Sequence, residues 1–176
     1  MFEVEIKTRT EHGRLLNELE KSGAAYEKTV HQVDTYYNAP HRDFGETDEA
    51  LRIREQNGRV FMTYKGKKID AVSKTRKEVE VEIGDRNRME DILTSLGFKK
   101  TLEVRKDRDI YHLNGAEICL DCVDGLGCFV ELEVQAKDSS DIEEKRDELI
   151  KLMRGLGITE ELIRESYLEM LLKKST

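Results

Sequence analysis

Three stretches of the chain place glutamate at every second position with aliphatic residues between. Glu3 and Glu5 alternate with Val4 and Ile6 and run on to Lys7; Glu78, Glu80 and Glu82 alternate with Val79, Val81 and Ile83; Glu131 and Glu133 alternate with Val130, Leu132 and Val134. Successive side chains of a strand point to opposite faces, so each stretch predicts a β-strand with one acidic and one apolar face. The same reading along the chain predicts strands over Phe2 to Thr8, Tyr26 to Tyr37, Ala50 to Gln56 and Arg59 to Lys65, then Thr75 to Ile83, Lys99 to Leu113, Ala116 to Val123 and Cys128 to Ala136. Helices are predicted over Glu11 to Ser22, where Leu15, Leu16 and Leu19 share a face and Gly23 stops the helix, and over Arg88 to Leu96, ended by Gly97. Two more follow, over Asp141 to Leu156 and Glu160 to Lys173. Asn57-Gly58 and Asn114-Gly115 read as hairpin turns, and Asp124 to Gly127 as a glycine-bearing turn. His41 to Glu49 reads as a loop. Gly66 to Lys74 is polar, basic and without period, which fits either a loop that closes over a ligand or a solvated connection.

The basic residues share the parity of the acidic ones. Arg52 and Arg54 alternate with Leu51 and Ile53, Lys65 ends its strand, Arg76 precedes the middle glutamates, and Lys106 and Arg108 sit two apart. An ordinary antiparallel sheet with one solvated face gives such a pattern too. If the charged faces instead turn inward around a closed barrel, the lumen holds cations and anions together, with the apolar faces outside under helices. Such a lumen suits a polyphosphate, with basic groups on its oxygens and carboxylates on bridging metal ions. Two halves, Glu3 to Lys65 and Glu78 to Glu133, repeat one order: acidic strand, helix ending in glycine, three strands with basic residues. That order suggests a pseudo-symmetric barrel of about eight antiparallel strands, an α+β fold.

Length and composition are compatible with this. The 176 residues read as one domain over 1–176, with 38% charged and 38% hydrophobic residues, one proline and no tryptophan. A formal net charge of −7 disfavours nucleic acid and anionic membranes as partners. No apolar run approaches the ~20 residues that span a bilayer, and the chain opens on an acidic strand, so a cytoplasmic location is expected. The odd count of Cys119, Cys122 and Cys128, with no export signal, is read as reduced thiols; the spacing from Cys119 to Cys122 invites a zinc or redox reading, but residues three apart on a strand face opposite sides and no histidine pair is nearby to complete a site. His12, His31, His41 and His112 form no paired or helical ligand motif and are read as surface or local hydrogen-bonding residues.

The ordered set resembles the CYTH superfamily, the triphosphate tunnel metalloenzymes that include class IV adenylyl cyclases and thiamine triphosphatases. Glu3-Val4-Glu5-Ile6-Lys7 is similar to the family's opening signature, and Leu51 to Arg54, Lys65, Arg76 with Glu78 and Glu80, Lys106 with Arg108, Asp121, and Glu131 with Glu133 follow in its order. His31 to Tyr37, Arg42-Asp43-Phe44, Thr47 to Arg54 and Ser166 to Leu172 look most like the class IV adenylyl cyclase branch.

The resemblance implies a closed eight-stranded antiparallel tunnel with a charged lumen that binds ATP or another triphosphate with Mg²⁺ or Mn²⁺. It assigns Glu3, Glu5 and Glu131 to the metal, with Glu133 adjacent, and Lys7, Arg52, Lys65, Lys106 and Arg108 to phosphate oxygens. Arg54 and Arg76 join the phosphate set or pair with lumen carboxylates, and Glu78, Glu80 and Asp121 support it. Glu5, Lys65 and Arg108 are the candidate catalytic residues, with Glu5 a candidate proton acceptor. The implied reaction is attack of the ribose 3′-oxygen of ATP on the α-phosphorus, giving cyclic AMP and pyrophosphate. The alternative is a hydrolase of inorganic tripolyphosphate or thiamine triphosphate on the same charges, and a third reading is a non-catalytic polyphosphate sensor. Phe61 and Tyr36 are the candidates for stacking a base, and the family suggests a homodimer.

Overall fold

A computed structural model describes residues 2–175; Met1 and Thr176, the ends of the expected domain, lie outside the described residues. The elements run β1 (Phe2–Arg9), α1 (His12–Lys21), β2 (Ala25–Asn38), α2 (Phe44–Thr47), β3 (Ala50–Gln56), β4 (Arg59–Lys65), β5 (Glu78–Ile83), α3 (Arg86–Ser95), β6 (Lys99–Leu113), β7 (Ala116–Val123), β8 (Gly127–Ala136), α4 (Ile142–Gly155) and α5 (Tyr167–Ser175). The eight strands form one antiparallel sheet in the order β1-β8-β7-β6-β2-β3-β4-β5. The repeat seen in the sequence is visible in this order. Each half supplies a three-stranded meander, β2-β3-β4 or β6-β7-β8, and the outer strand of each meander pairs with the first strand of the other half. The two meanders join at the long β2–β6 ladder.

The sheet curls but does not close, which corrects the expected closed barrel. Among the described residues, the edge strands β1 and β5 share no ladder, and one isolated bridge pairs Glu3 of β1 with Arg76, two residues before β5. The reason lies in residues 66–77. Gly66 N–H bonds Lys77 O at 2.9 Å and Ile69 N–H bonds Thr75 O at 2.9 Å, so the chain turns on itself where a ladder with β1 would have formed. The strand expected from Thr75 therefore starts only at Glu78. Lys74 N–H still reaches Glu5 O at 2.9 Å, which ties the turned segment to the seam.

Two other elements differ from expectation. The loop expected at His41 to Glu49 contains α2, whose first turn is capped by Asp43 Oδ1 accepting from Gly45 N–H at 2.8 Å. The last helix starts at Tyr167 and not at Glu160, because the preceding residues are spent on β1. Ile163 N–H bonds Lys7 O at 2.7 Å, and the Thr8 hydroxyl donates to Glu161 O at 2.7 Å. The Asn57-Gly58 and Asn114-Gly115 turns hold, with φ of 50° and 77° in the first and 52° and 80° in the second, the two positive values that a type I′ hairpin needs.

The alternating pattern sorts the two faces. On the convex side Val4, Ile6, Ile118, Leu120, Val130 and Leu132 pack against Leu15 and Leu19 of α1 and Leu149 and Met153 of α4. Leu51 and Ile53 pack against Phe44 of α2 and Leu93 of α3. Helical cover of the apolar face is incomplete at β5, where Val79 and Val81 are 54% and 57% exposed. On the concave side α5 brings Tyr167 and Met170 onto Tyr36, Val104, Val123 and Phe129. Among the described residues no helix is long and apolar enough to cross a membrane.

This layering predicts unequal costs for aliphatic truncation. Leu132→Ala, in a fully buried position under α1 and α4, is expected to cost about 2–5 kcal/mol in urea unfolding. Val81→Ala, on the open face of β5, is expected to stay within about 0.5 kcal/mol of the parent protein in the same measurement.

Candidate functional site

The charged parity of the strands faces the concave side, where a cavity of about 540 Å³ opens. Its walls include Glu3, Glu5, Arg52, Arg54, Lys65 and Arg76, with Glu78, Glu80, Lys106, Arg108, Glu131 and Glu133. Twelve of the fourteen charged residues singled out in the sequence thus meet in one place. Lys7 and Asp121 do not line it; both are fully buried behind the wall.

Register explains how residues far apart in sequence converge. Glu5 stands opposite Glu133, and Lys7 opposite Glu131, across the β1–β8 ladder. Arg108 faces Asp121 across β6–β7, and Lys65 faces Glu78 across β4–β5. Cross-strand partners share a face, so these ladders deliver oppositely charged or carboxylate pairs to the concave side.

The site divides into two zones. In the first, Glu3, Glu5 and Glu133 bring carboxylate oxygens within 4.8 Å of one another. Burial and the Glu3 carboxylate push Glu133 up to about 8, and burial, reinforced by Glu78 and Glu5, also raises Glu3. Three crowded carboxylates offering only oxygen are the donor set of a hard divalent cation such as Mg²⁺ or Mn²⁺, and the raised proton affinity of Glu3 and Glu133 shows how little positive charge faces those two. Glu131, expected among the metal ligands, is placed differently. Lys74 Nζ lies 3.3 Å from one of its oxygens and Arg108 Nη2 donates to the other. Against the cost of burial, Lys74 and Arg108 hold Glu131 well below the usual carboxylate range.

In the second zone, guanidinium and ammonium groups are held by carboxylates behind them. Asp121 takes a two-pronged bond from Arg108 at 2.6 and 2.7 Å and accepts from Lys106 Nζ at 3.2 Å and from the Tyr167 hydroxyl at 2.7 Å. Asp34 does the same for Arg54, at 2.6 and 2.7 Å, and pairs with Arg52 at 3.5 Å. Burial opposes the ionised form of Asp34, yet Arg54 and Arg52 keep it far below its ordinary range. Arg52 also donates to Thr63 Oγ1 at 3.1 Å and approaches Glu80 at 3.5 Å, and Lys65 Nζ donates to Glu78 at 2.5 Å. Arg76 donates to Gly66 O at 3.2 Å and stands 3.9 Å from Asp48.

Three participants were missed in the sequence. Asp34 sits at lumen parity on β2, two residues from Tyr36, and that alternation was available to find it. Lys74 comes from the aperiodic segment, where no pattern assigns a face; its ammonium donates to Glu5 at 2.5 Å. Against the cost of burial, Glu5 and Glu131 raise its affinity for its proton. Tyr167 lies under three ammonium groups, with Lys7, Lys106 and Lys74 at 4.1, 5.0 and 5.9 Å from its ring centre. Beneath that ring, Lys7 donates to the Glu165 carbonyl, and burial together with the neighbouring Lys74 lowers it to about 7. Both base-stacking candidates already have ring neighbours: Tyr36 lines the cavity but is buried against Val104, Phe129 and Tyr167, and the Arg59 guanidinium lies 4.9 Å from the centre of the Phe61 ring.

Comparison with known proteins identifies relatives of the whole chain and of its fold. "Putative adenylate cyclase MJ0240" of Methanocaldococcus jannaschii is 44% identical over 172 residues, 97% of this chain and 98% of that protein. The solved structure of the Pyrococcus horikoshii protein PH1819 superposes with a TM-score of 0.91 at 44% identity, covering 98% of this chain and 99% of the other. A Hippeastrum protein, HpAC1, shares the fold at a TM-score of 0.71 and 16% identity over 98% of this chain and 95% of its own; it is described as having a dominant triphosphatase activity. The CYTH domain model matches residues 1–167, and with that match the chain belongs to the CYTH domain family.

Proposed function

We propose that this protein is a divalent-cation-dependent enzyme acting on a triphosphate, and that it converts ATP to cyclic AMP and pyrophosphate on the concave face of its sheet. The observation that carries this reading is the meeting, in one cavity, of the Glu3, Glu5 and Glu133 carboxylates with Arg52, Lys65, Arg76, Lys106 and Arg108. A triphosphate carries roughly four negative charges into a partly dehydrated site and needs nearly equal countercharge there. The basic wall supplies it. Arg52 adds a more particular point: its Nε–H is buried with no acceptor among the described residues, a cost of about 1–3 kcal/mol that a phosphate oxygen relieves.

In this reading Glu3, Glu5 and Glu133 hold the metal, and Glu131 is moved from that set to the support of Arg108 and Lys74. When bound, a divalent cation neutralises phosphate oxygens and lowers the pKa of an attacking hydroxyl. Arg108, held in plane by Asp121, presents its guanidinium to phosphate oxygens as charge moves onto the leaving pyrophosphate. Lys65 exchanges Glu78 for phosphate in the same way, and Arg54, fixed by Asp34, buttresses Arg52. Glu5 takes the proton of the ribose 3′-hydroxyl. The relative from Methanocaldococcus supports cyclisation through its name.

A second reading, hydrolysis of inorganic tripolyphosphate or thiamine triphosphate, is favoured by one observation: Tyr36 and Phe61 are both occupied, so neither offers a free ring to a base. The description of HpAC1 supports the same alternative. Incubation of the purified chain with ATP, tripolyphosphate and thiamine triphosphate, each with Mg²⁺ or Mn²⁺, separates the two. Cyclic AMP with stoichiometric pyrophosphate is expected; orthophosphate from tripolyphosphate without cyclic AMP from ATP would sink the cyclase.

Two further outcomes test the assignment of residues. Glu5→Gln and Arg108→Lys, which keeps the buried charge, are each expected to lower kcat by about 10²–10³ with a native circular dichroism spectrum; parental rates in either would remove that residue from the reacting centre. The second outcome concerns pH. Glu133 faces Glu3 and Glu5 on β1, Glu117 on β7 and Arg108 on β6, and in the metal-free chain it keeps its proton up to about 8. Because the folded state binds this proton more tightly than the unfolded chain, the stabilisation is complete below about 4.5 and is lost as pH rises through about 8. Metal-free protein should therefore lose stability across that window, and Mg²⁺ or Mn²⁺ affinity should rise with pH up to about 8. Glu133→Gln should flatten both curves, as read by thermal unfolding and by calorimetric titration.

A further inference from the structure

The cysteines are not isolated thiols. Cys119 is fully buried and at lumen parity, whereas Cys122 is exposed on the convex side of β7, directly opposite Cys128 of β8. The two sulfurs are 2.7 Å apart and unbonded, a disulfide being about 2.05 Å. The first turn of α1 adds His12, whose Nδ1 lies 3.8 Å from Cys122 Sγ. One ligand atom from each of the three residues falls within 4.8 Å of the others, and none of the three lines the concave cavity.

The histidine ring is oriented for coordination. Its Nε2 lies 2.9 Å from the carbonyl oxygen of Phe129. A carbonyl only accepts, so Nε2 carries the proton and the lone pair of Nδ1 is directed to the cysteine pair. A carbonyl behind the ring is the support that metal-ligating histidines use. Two sulfurs and a neutral imidazole select a thiophilic cation, whereas Mg²⁺ and Mn²⁺ prefer oxygen. A candidate for the fourth position is also present. Asp107 stands opposite Cys122 in the β6–β7 ladder, with a 69% exposed side chain that bonds His31 Nδ1 at 2.7 Å.

We propose that His12, Cys122 and Cys128 bind a thiophilic divalent cation of the Zn²⁺ class on the convex face, with Asp107 or water completing a tetrahedron. Binding releases the two thiol protons, and the two thiolates balance the dipositive ion. Zinc–sulfur bonds of about 2.3 Å place two sulfurs of a tetrahedron about 3.8 Å apart, so the thiols separate by about 1 Å as the protons leave. The ion pins the start of α1 to the β7–β8 hairpin. It is independent of the triphosphate reading, which uses the other face of the same strands.

Cobalt provides the test. The full-length chain is reduced with a phosphine, its three thiols are counted, and it is titrated with Co²⁺ alone. One equivalent is expected to develop thiolate-to-cobalt charge-transfer absorption with the intense visible bands of a tetrahedral ion, and Zn²⁺ should bleach both. Cobalt held by carboxylates alone has no thiolate band, so Glu3, Glu5 and Glu133 cannot imitate the signal. The double variant Cys122→Ser, Cys128→Ser should abolish the band, Cys119→Ala should retain it, and His12→Ala should weaken Zn²⁺ affinity by at least about tenfold. A reduced chain without the band, or a band that survives the double cysteine variant, overturns the site.

Discussion

The structure depends on the mutual neutralisation of charges that have been taken out of water on the concave face. Lys7 and Asp121 are fully buried, and Glu131, Lys106, Asp34, Arg52 and Arg108 nearly so. An ion buried alone costs several kcal/mol even after relaxation, and removing one partner of a buried pair costs about 3–5 kcal/mol. These groups therefore stand or fall together. Asp121 illustrates the constraint, since it holds Arg108 and Lys106 and accepts from Tyr167. Carboxylates of this kind consume part of the basic charge before any ligand arrives. What they return is orientation: the guanidiniums are already aimed, so less entropy is lost when an anion binds.

The convex face makes this interior possible. Burial of aliphatic side chains beneath α1 and α4 supplies favourable free energy at about 1.5–3 kcal/mol per large residue, and it does so on the same strands that carry the lumen charges. Each strand thus bears its stabilising and its functional side chains at alternate positions. A one-residue slip of register would bring glutamates under the helices and aliphatic groups into the cavity, so register is specified by both faces at once. The open seam between β1 and β5 shows where this specification ends. There, the Lys74 side chain crosses from the turned segment to Glu5 and Glu131, and an isolated backbone bridge pairs Arg76 with Glu3.

Much of this was legible in the sequence because period two is a strong signal when both faces are marked. The strands, their parity, the two Asn-Gly turns and the order of the two halves all follow from local pattern. The residues missed belong to another class. Lys74 lies in a segment without period, and Tyr167 in a helix whose start depends on hydrogen bonds from residues 161–163 to β1. Closure of the barrel was over-read for a related reason, since alternation says that a strand has two faces but not whether its edge finds a partner. The cysteines are free, as expected, but the closeness of two of them escapes the sequence for a third reason. Spacing along one strand separates Cys119 from Cys122, but the relevant neighbour of Cys122 is across the hairpin, and only the register of β7 on β8 reveals it.

The exchange of roles between Glu131 and Glu133 shows what parity leaves undetermined. Both residues face the cavity, two apart on one strand, and the same pattern predicts both. Their partners differ because β8 is flanked by different residues at the two levels. Lys7 is the β1 partner of Glu131, and at that level Arg108 and Lys74 also converge, so cations surround the carboxylate and ionise it fully. One step along, Glu133 meets Glu5 on one side and Glu117 on the other, so carboxylates surround it and it keeps its proton. A cation drawn to the site gains most where negative charge is least compensated, which is the level of Glu133, Glu5 and Glu3. Glu131 has its countercharge already, from Arg108 and Lys74.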